Sequence, residues 1–389
     1  IFALAERLTI IPMKTLLTLI FIFGLLIHPG PAYSGETFEE RIQSQMPDLL
    51  MRYHVPGAVV AYIQNGSVTW TRAYGEASTT TGAPMQPDML MNFGSCGKVL
   101  TGWGVMRLVE MGKVELDAPA NRYLKRWQIP SGVFDAEEVT VRRLLSHTGG
   151  LNIHGYSDYS AGRSMPSLVE MLEGQNQLDG RAEITWEPGT QFHYSGAGYV
   201  LLQMLIEDVS GEHFADFMQR EVTGALGMTS LQWAWTPELE RSAAVPHGSQ
   251  GEPVGYRQLA SAGIGSEIST TADFARFLAA AVPGPNGEPA GRGVLSPETI
   301  REMTTIQPNM DDSAGLAYGI ARMGQDTLLM HFGANLGWNA FFLLDLERRE
   351  GVVVATNSAN GFALLTVVQD LWSQSVLGIR SNVYPPAND

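Results

Sequence analysis

The chain has 389 residues, 44% of them hydrophobic, and a formal net charge of -15. That length supports a large core and about two structural units, while the acidic balance repels phosphate backbones and anionic membranes and so excludes nucleic acid as an expected partner. Cys96 is the only cysteine, so no internal disulfide can form, and without a His-Glu-x-x-His, a Cys/His cluster or a Gly-rich phosphate loop the sequence implies no metal and no nucleotide cofactor.

Residues 1–34 read as an export leader. The first residue is Ile1, whereas Met13-Lys14 precedes an apolar run over 16–27. Gly30-Pro31-Ala32 and Ala32-Tyr33-Ser34 then offer small-x-small cleavage sites, the pattern of a signal peptide whose initiator is Met13. The run is short for a spanning helix, and an uncleaved anchor is the alternative. The expectation is a periplasmic or secreted protein with no stable membrane span once the leader is removed.

Thr37 and Glu40 form a capping box ahead of a helical pattern of Phe38, Ile42, Met46, Leu50 and Tyr53, which Pro47 is predicted to kink. Two apolar-rich runs, 57–64 and 67–74, flank Asn65-Gly66, a two-residue hairpin signal. The next stretch, Asn92-Phe93-Gly94-Ser95-Cys96-Gly97-Lys98, leads into apolar residues at Leu100, Trp103, Met106 and Val109, which predicts a helix starting near Ser95.

Residues three apart share a helix face, so Ser95 and Lys98 can touch. A serine hydroxyl becomes a nucleophile when a base takes its proton, and a lysine can be that base if burial or charge lowers its pKa. Of the four lysines (Lys14, Lys98, Lys113 and Lys125), only Lys98 has a serine three residues before it. An N-cap serine followed by a solvated lysine is the bland alternative for the tetrapeptide alone. Cys96 reads as a small residue packed behind the nucleophile.

The middle of the chain is mostly helical. A short helix over 140–146 ends in His147-Thr148-Gly149-Gly150-Leu151, where His147 reads as a turn-stabilising residue and only secondarily as a catalytic one. A turn-rich segment follows, with one helical piece at 168–172. Trp186-Glu187-Pro188-Gly189 then leads to Tyr194-Ser195-Gly196 and an apolar helix over 199–209 that stops at Gly211. Beyond a loop-rich stretch, helices are predicted over about 272–281 and from Ser296-Pro297 onward. Strands follow at 315–322, 327–331, 339–346 and 351–356, then a last helix over 362–376. The fold class is therefore α+β: an antiparallel sheet flanked by helices, built from about 35–94 and 290–389, with a mostly helical part inserted at about 95–289.

Three stretches line up in chain order: Ser95-x-x-Lys98, Tyr194-Ser195-Gly196 and His331-Phe332-Gly333. Together with 147–151, 188–199 and 333–357 they resemble the serine β-lactamase and penicillin-binding-protein superfamily over roughly residues 38–375. The likeness is to the branch with class C β-lactamases, D-alanyl-D-alanine carboxypeptidases and β-lactamase-like esterases. It implies an acyl-enzyme on Ser95, with Lys98 taking the proton or tuning Tyr194, and Tyr194 returning the proton to the leaving group. It also implies an oxyanion hole from the backbone N–H groups of Ser95 and Ala334, and substrate contacts at His331, Gly333 and Gly196. The partner is a small-molecule ester, peptide or β-lactam.

Two departures from that family pattern matter. Gly196 stands where the family has asparagine, and His331 stands where a lysine is common. The first removes an amide side chain that would touch substrate and the second weakens a permanent clamp on a β-lactam carboxylate, so both favour an esterase or peptidase, or a promiscuous hydrolase with modest lactamase activity, over a dedicated β-lactamase. A dedicated class C-type enzyme, a D-alanyl-D-alanine carboxypeptidase and a non-catalytic penicillin-binding protein on the same fold are the alternatives. A Ser-His-Asp α/β-hydrolase is disfavoured, because there is no Gly-x-Ser-x-Gly and no strand–helix alternation. Met85, Met89, Met91, Trp127, Trp186 and Trp233 are candidates for an acyl pocket, with core packing the commoner fate.

Overall fold

The computed structural model describes residues 28–29, 36–175, 179–308, 313–323 and 325–380. The expected leader and its Met13 start therefore lie outside the described residues, apart from His28–Pro29, which pairs antiparallel with Ile379–Arg380.

Helix α1, Phe38–Arg52, opens with the expected capping box, Thr37 and Glu40 satisfying each other's backbone N–H. It runs unbroken through Pro47, whose ring is on the exposed side while Met46, Leu49 and Leu50 face the core. On the solvent side the carbonyl that loses its helical donor can be hydrated, which lets the helix continue. Strands β1, Gly57–Gln64, and β2, Ser67–Ser78, are joined by Asn65-Gly66, both at positive φ, the geometry a two-residue hairpin needs.

The remaining sheet strands are β3, Ala83–Pro84; β4, Gly319–Met323; β5, Asp326–Asn335; β6, Trp338–Asp345; and β7, Glu350–Thr356. Seven strands form one antiparallel sheet in the order β3-β2-β1-β7-β6-β5-β4. The first hairpin thus joins the C-terminal strands, β1 pairing with β7 from Gly351 opposite Ile63 to Thr356 opposite Ala58.

The central strands β1, β6 and β7 are buried on both faces because they are apolar at most positions, and their period of two sends alternate residues to opposite sides. Val60, Tyr62, Phe341, Leu343, Val352 and Val354 pack with α1 and with α6, Gly361–Val376. Val59, Ala61, Phe342, Leu344 and Val353 pack on the other side, with the helices that lie between β3 and β4 in the chain. Those helices include α2, Lys98–Glu110; α3, Gly196–Ser210; α4, Thr271–Ala279; and α5, Pro297–Thr304. Helix α2 is buried nearly all round, as its apolar composition requires of a central helix.

No helix among the described residues is long and apolar enough to cross a membrane. The predicted strand 315–322 is shorter than expected, starting at Gly319, while the next extends past residue 331 to Asn335. That extension matters because β4 ends opposite Met330, leaving residues 331–335 of β5 with an edge free of β4 and facing the turn that carries Ser95.

Candidate active site

Ser95 does not sit in an α-helix. Gly94–Gly97 form a 3-10 turn, and Lys98 is the first residue of α2. Gly94 enters that turn at φ 54°, a left-handed conformation that favours glycine. Three residues per turn align i with i+3, so the tighter winding brings the two side chains together more directly than an α-helix would. Lys98 Nζ donates to Ser95 Oγ at 3.0 Å and to the Ile264 carbonyl at 2.6 Å.

That carbonyl is held in place from two helices. Thr101 Oγ1 on α2 donates to the Gly263 carbonyl at 2.9 Å, and Gln203 Oε1 on α3 accepts from Gly263 N at 2.8 Å and from Ser261 Oγ at 2.7 Å. The nucleophile turn is fixed as well: Asn92 Oδ1 accepts from Gly94 N at 3.1 Å and from Asn335 Nδ2 at 2.6 Å.

Tyr194 arrives from the end of the loop before α3. Ser195 caps that helix, its Oγ accepting from Gly198 N at 3.2 Å and donating to the Ile153 carbonyl at 3.1 Å. His147, at φ 59°, accepts from Ser195 N through Nδ1 at 3.1 Å and stacks on the Tyr194 ring at 4.3 Å. His147 therefore positions the second motif, and the bond it receives requires Nδ1 to be the unprotonated nitrogen. Lys98 Nζ lies 5.1 Å from the centre of the Tyr194 ring. Tyr194 Oη has no hydrogen-bond partner of good geometry among the described residues.

Burial dominates the electrostatics. It drags the Lys98 ammonium down to about 7, partly offset by Glu267. The Tyr194 phenol is pushed up by burial against a smaller downward pull from Ser95. Burial thus favours the unprotonated amine of Lys98 and the protonated phenol of Tyr194. His331 is lowered to about 4 by burial and by the Lys98 charge. Its Nδ1 is 2.7 Å from the Phe332 carbonyl, a bond that only a protonated Nδ1 can make. The neutral ring then offers Nε2 as an acceptor and holds no fixed positive charge. Cys96 is buried behind the turn, its Sγ 3.5 Å from the His331 carbonyl, with its thiol pushed well above the usual range by burial.

Ala334 and Ser95 meet across the free edge of β5: a Cβ on Gly94 would lie 2.7 Å from Ala334 N, and one on Gly333 would lie 3.0 Å from Ser95 N. The space that a Cβ on Gly333 would need is therefore filled by the turn that carries Ser95. Gly196 is also covered: a Cβ there would lie 3.0 Å from the His154 carbonyl oxygen and 3.2 Å from Gly155 Cα. An asparagine side chain at 196 would run into that loop, which is a steric reason for the glycine.

A small depression beside Tyr194 is walled by His147, Phe192, Tyr318 and His331. Of the side chains considered for an acyl pocket, Met85, Met91 and Trp127 are buried in the core, and Met89 and Trp233 pack against it. Trp186 stacks on His193, next to Tyr194, at 3.8 Å.

The residues that sequence reading passed over are mainly those that hold the turn: Asn92, Asn335, Gln203 and Glu267. Only Glu267 left a signal, being the single charged residue between Gln258 and Ala272.

The family model for Beta-lactamase matches residues 36–367. Esterase EstB of Burkholderia gladioli is 28% identical over 69% of this chain and 70% of its own length. Unguisins hydrolase ungD' of Aspergillus campestris is 25% identical over 89% of this chain, and the chain spans 64% of that longer protein. Among solved structures, the D-amino acid amidase of Ochrobactrum anthropi SV3 superposes with a TM-score of 0.71 at 22% identity, covering 88% of this chain and 99% of the amidase, a likeness of fold. With the family model matched over most of its length, the chain belongs to the Beta-lactamase family.

Proposed function

We propose that the protein is an exported serine hydrolase that forms an acyl-enzyme on Ser95 and cleaves ester or amide bonds of small molecules. The observation that carries this reading is the 3.0 Å contact between Ser95 Oγ and a buried Lys98 whose pKa is drawn down to about 7. At neutral pH a substantial share of Lys98 is then an unprotonated amine within reach of the hydroxyl proton. The names of EstB and of the D-amino acid amidase are consistent with acyl transfer to water from esters and amides.

In this reading Lys98 takes the Ser95 proton as Oγ attacks the carbonyl, and the N–H groups of Ser95 and Ala334 receive the oxyanion. Tyr194, kept protonated by burial, gives its proton to the leaving group and regains one from Lys98. Water then repeats the sequence on the acyl-enzyme. A neutral His331 supplies no permanent charge for a substrate carboxylate, which favours neutral esters and amides over penicillins and cephalosporins. The leader pattern at 13–34 supports export.

The test is kcat/KM for a short-chain p-nitrophenyl ester and for a chromogenic cephalosporin, measured side by side on the wild-type chain and Ser95→Ala, with mass spectrometry of a fluorophosphonate adduct. Faster ester turnover, lost in Ser95→Ala together with an adduct on the Ser95 peptide, supports the reading. A faster cephalosporin rate replaces it with a dedicated β-lactamase. Rates and labelling that survive in Ser95→Ala refute it.

A further inference from the structure

Behind the nucleophile turn lies a carboxylate that none of the steps above uses. Glu267 is fully buried, at 0% exposure. It follows the Ile264 carbonyl that holds Lys98 and immediately precedes the short strand Ile268–Ser269, and its own carbonyl accepts from Asn92 Nδ2 at 3.0 Å. The backbone N–H groups of Glu267 itself and of Gly97 face the carboxyl and favour its charge, but no side chain among the described residues bonds either oxygen. A carboxylate in that condition is costly, and a leucine or methionine of similar size would serve packing better.

The turn is nevertheless shaped to receive it. A Cβ on Gly97 would lie 1.8 Å from Glu267 Oε2 and 2.0 Å from its carboxyl carbon. Gly97 is thus a seat for this carboxyl, set between Ser95 and Lys98 in the same tetrapeptide. The charged and titratable groups around the two are few. Lys98, Cys96 and Tyr194 act on or feel the Glu267 charge, and His147 and His331 feel that of Lys98. Lys98 donates to Ser95 Oγ and Ile264 O, so it acts on Glu267 through space.

We propose that Glu267, seated on Gly97, is a positioning residue that sets the charge on Lys98 by supplying a buried counter-charge across the nucleophile turn. This rests on the reading of Ser95 and Lys98 as nucleophile and base. Burial pushes Glu267 up and Lys98 down, while the charge of each pulls the other back toward its ionised form, so the two titrate as a coupled pair. As Oγ attacks, its proton moves to Nζ and an ammonium appears in a dry site. The carboxylate stabilises that ammonium without touching substrate, and Lys98 returns the proton through Tyr194 to the leaving group, leaving Glu267 unchanged.

The experiment is the pH profile of kcat/KM for a p-nitrophenyl ester, from pH 5 to 9, for wild type and Glu267→Gln, with melting curves for both. Glutamine keeps the shape and removes the charge. Lys98 then loses its proton more readily, so the acid limb moves to lower pH by roughly one unit, while the plateau falls about ten- to a hundred-fold because the ammonium formed in the transition state is no longer balanced. A plateau that falls with the limb unmoved makes Glu267 a structural residue only and overturns the proposal.

Should Glu267→Gln not fold, infrared difference spectra of the wild-type protein with 13C-labelled glutamate decide the matter. A buried carboxyl band that titrates along the acid limb supports the pair, and no carboxyl change across that limb overturns it. Activity that survives in Ser95→Ala would be a different failure, that of the site itself.

Discussion

Gly333 and Phe93 approach so closely that no side chain fits between them: a Cβ on residue 333 would lie 1.9 Å from the Phe93 carbonyl oxygen. The glycine of the third motif is therefore part of the machinery that docks the first motif on β5. Gly333→Ala is expected to push β5 and the Ser95 turn apart, costing about 1–3 kcal/mol of stability and, through a displacement of the order of 1 Å, about a hundred-fold or more in kcat/KM. Thermal melts and ester kinetics on the same preparation check this. An alanine variant with wild-type rate would show that the turn does not need that seat.

Lys98 is lowered to about 7 by burial, with Glu267 pulling the other way. A base works when unprotonated, so kcat/KM is expected to fall below about pH 7, tenfold per unit, and to level off above it. Lys98→Arg keeps the charge but cannot release its proton, and is expected to be inactive across the whole range. A flat wild-type profile through pH 6–8 would assign the base role elsewhere.

Tyr194→Phe separates chemistry from stability. The phenol is buried, and the Ser95 hydroxyl beside it keeps its bond from Lys98 Nζ when the phenol is removed. The melting temperature is expected to hold or rise while kcat drops by about 10²–10⁴, the usual worth of a general acid. Differential scanning calorimetry beside steady-state kinetics reads both, and loss of stability without loss of rate would remove Tyr194 from the mechanism.

His147 combines a left-handed backbone with a buried acceptor for Ser195 N. Alanine provides neither, and strands that N–H at a cost on the order of 1–3 kcal/mol, whereas asparagine tolerates the backbone and offers an acceptor. Denaturant melts are expected to rank wild type above His147→Asn above His147→Ala, with Tyr194-dependent rates falling in the same order. Equal stability of the two variants would contradict the assigned role.

His331 is buried neutral, its pKa lowered from 6.5 to about 4. The unfolded chain binds a proton between those values and the folded chain does not, so this residue's contribution is full above pH 6.5 and is lost as pH falls toward 4, on the order of 3 kcal/mol in all. His331→Gln is expected to flatten the pH dependence of stability in that window, as followed by urea melts at pH 4.5, 5.5 and 6.5. An unchanged slope would place a charge on His331 in the native state.

The periodic elements were legible in the sequence because each rests on local chemistry. The Thr37–Glu40 box, the Asn65-Gly66 hairpin and the apolar strands of β1, β6 and β7 all declare themselves within a few residues. Ser95, Lys98 and Tyr194 could be singled out as candidates because Ser95-x-x-Lys98, Tyr194-Ser195-Gly196 and His331-Phe332-Gly333 follow one another in the order of a known family's motifs.

The rest depended on contacts far apart in the chain. Nothing local tells that Gly97 is small to seat a carboxyl 170 residues on, that Gly333 is small for the Phe93 carbonyl, or that Ile264 offers the oxygen that orients Lys98. The sequence by itself determined the antiparallel sheet and the helices packed on it, through periodicity and turn chemistry, and singled out candidate reacting groups through its ordered motifs. Only the tertiary structure decided which groups are protonated, because that depends on burial, and burial is a property of the packed chain.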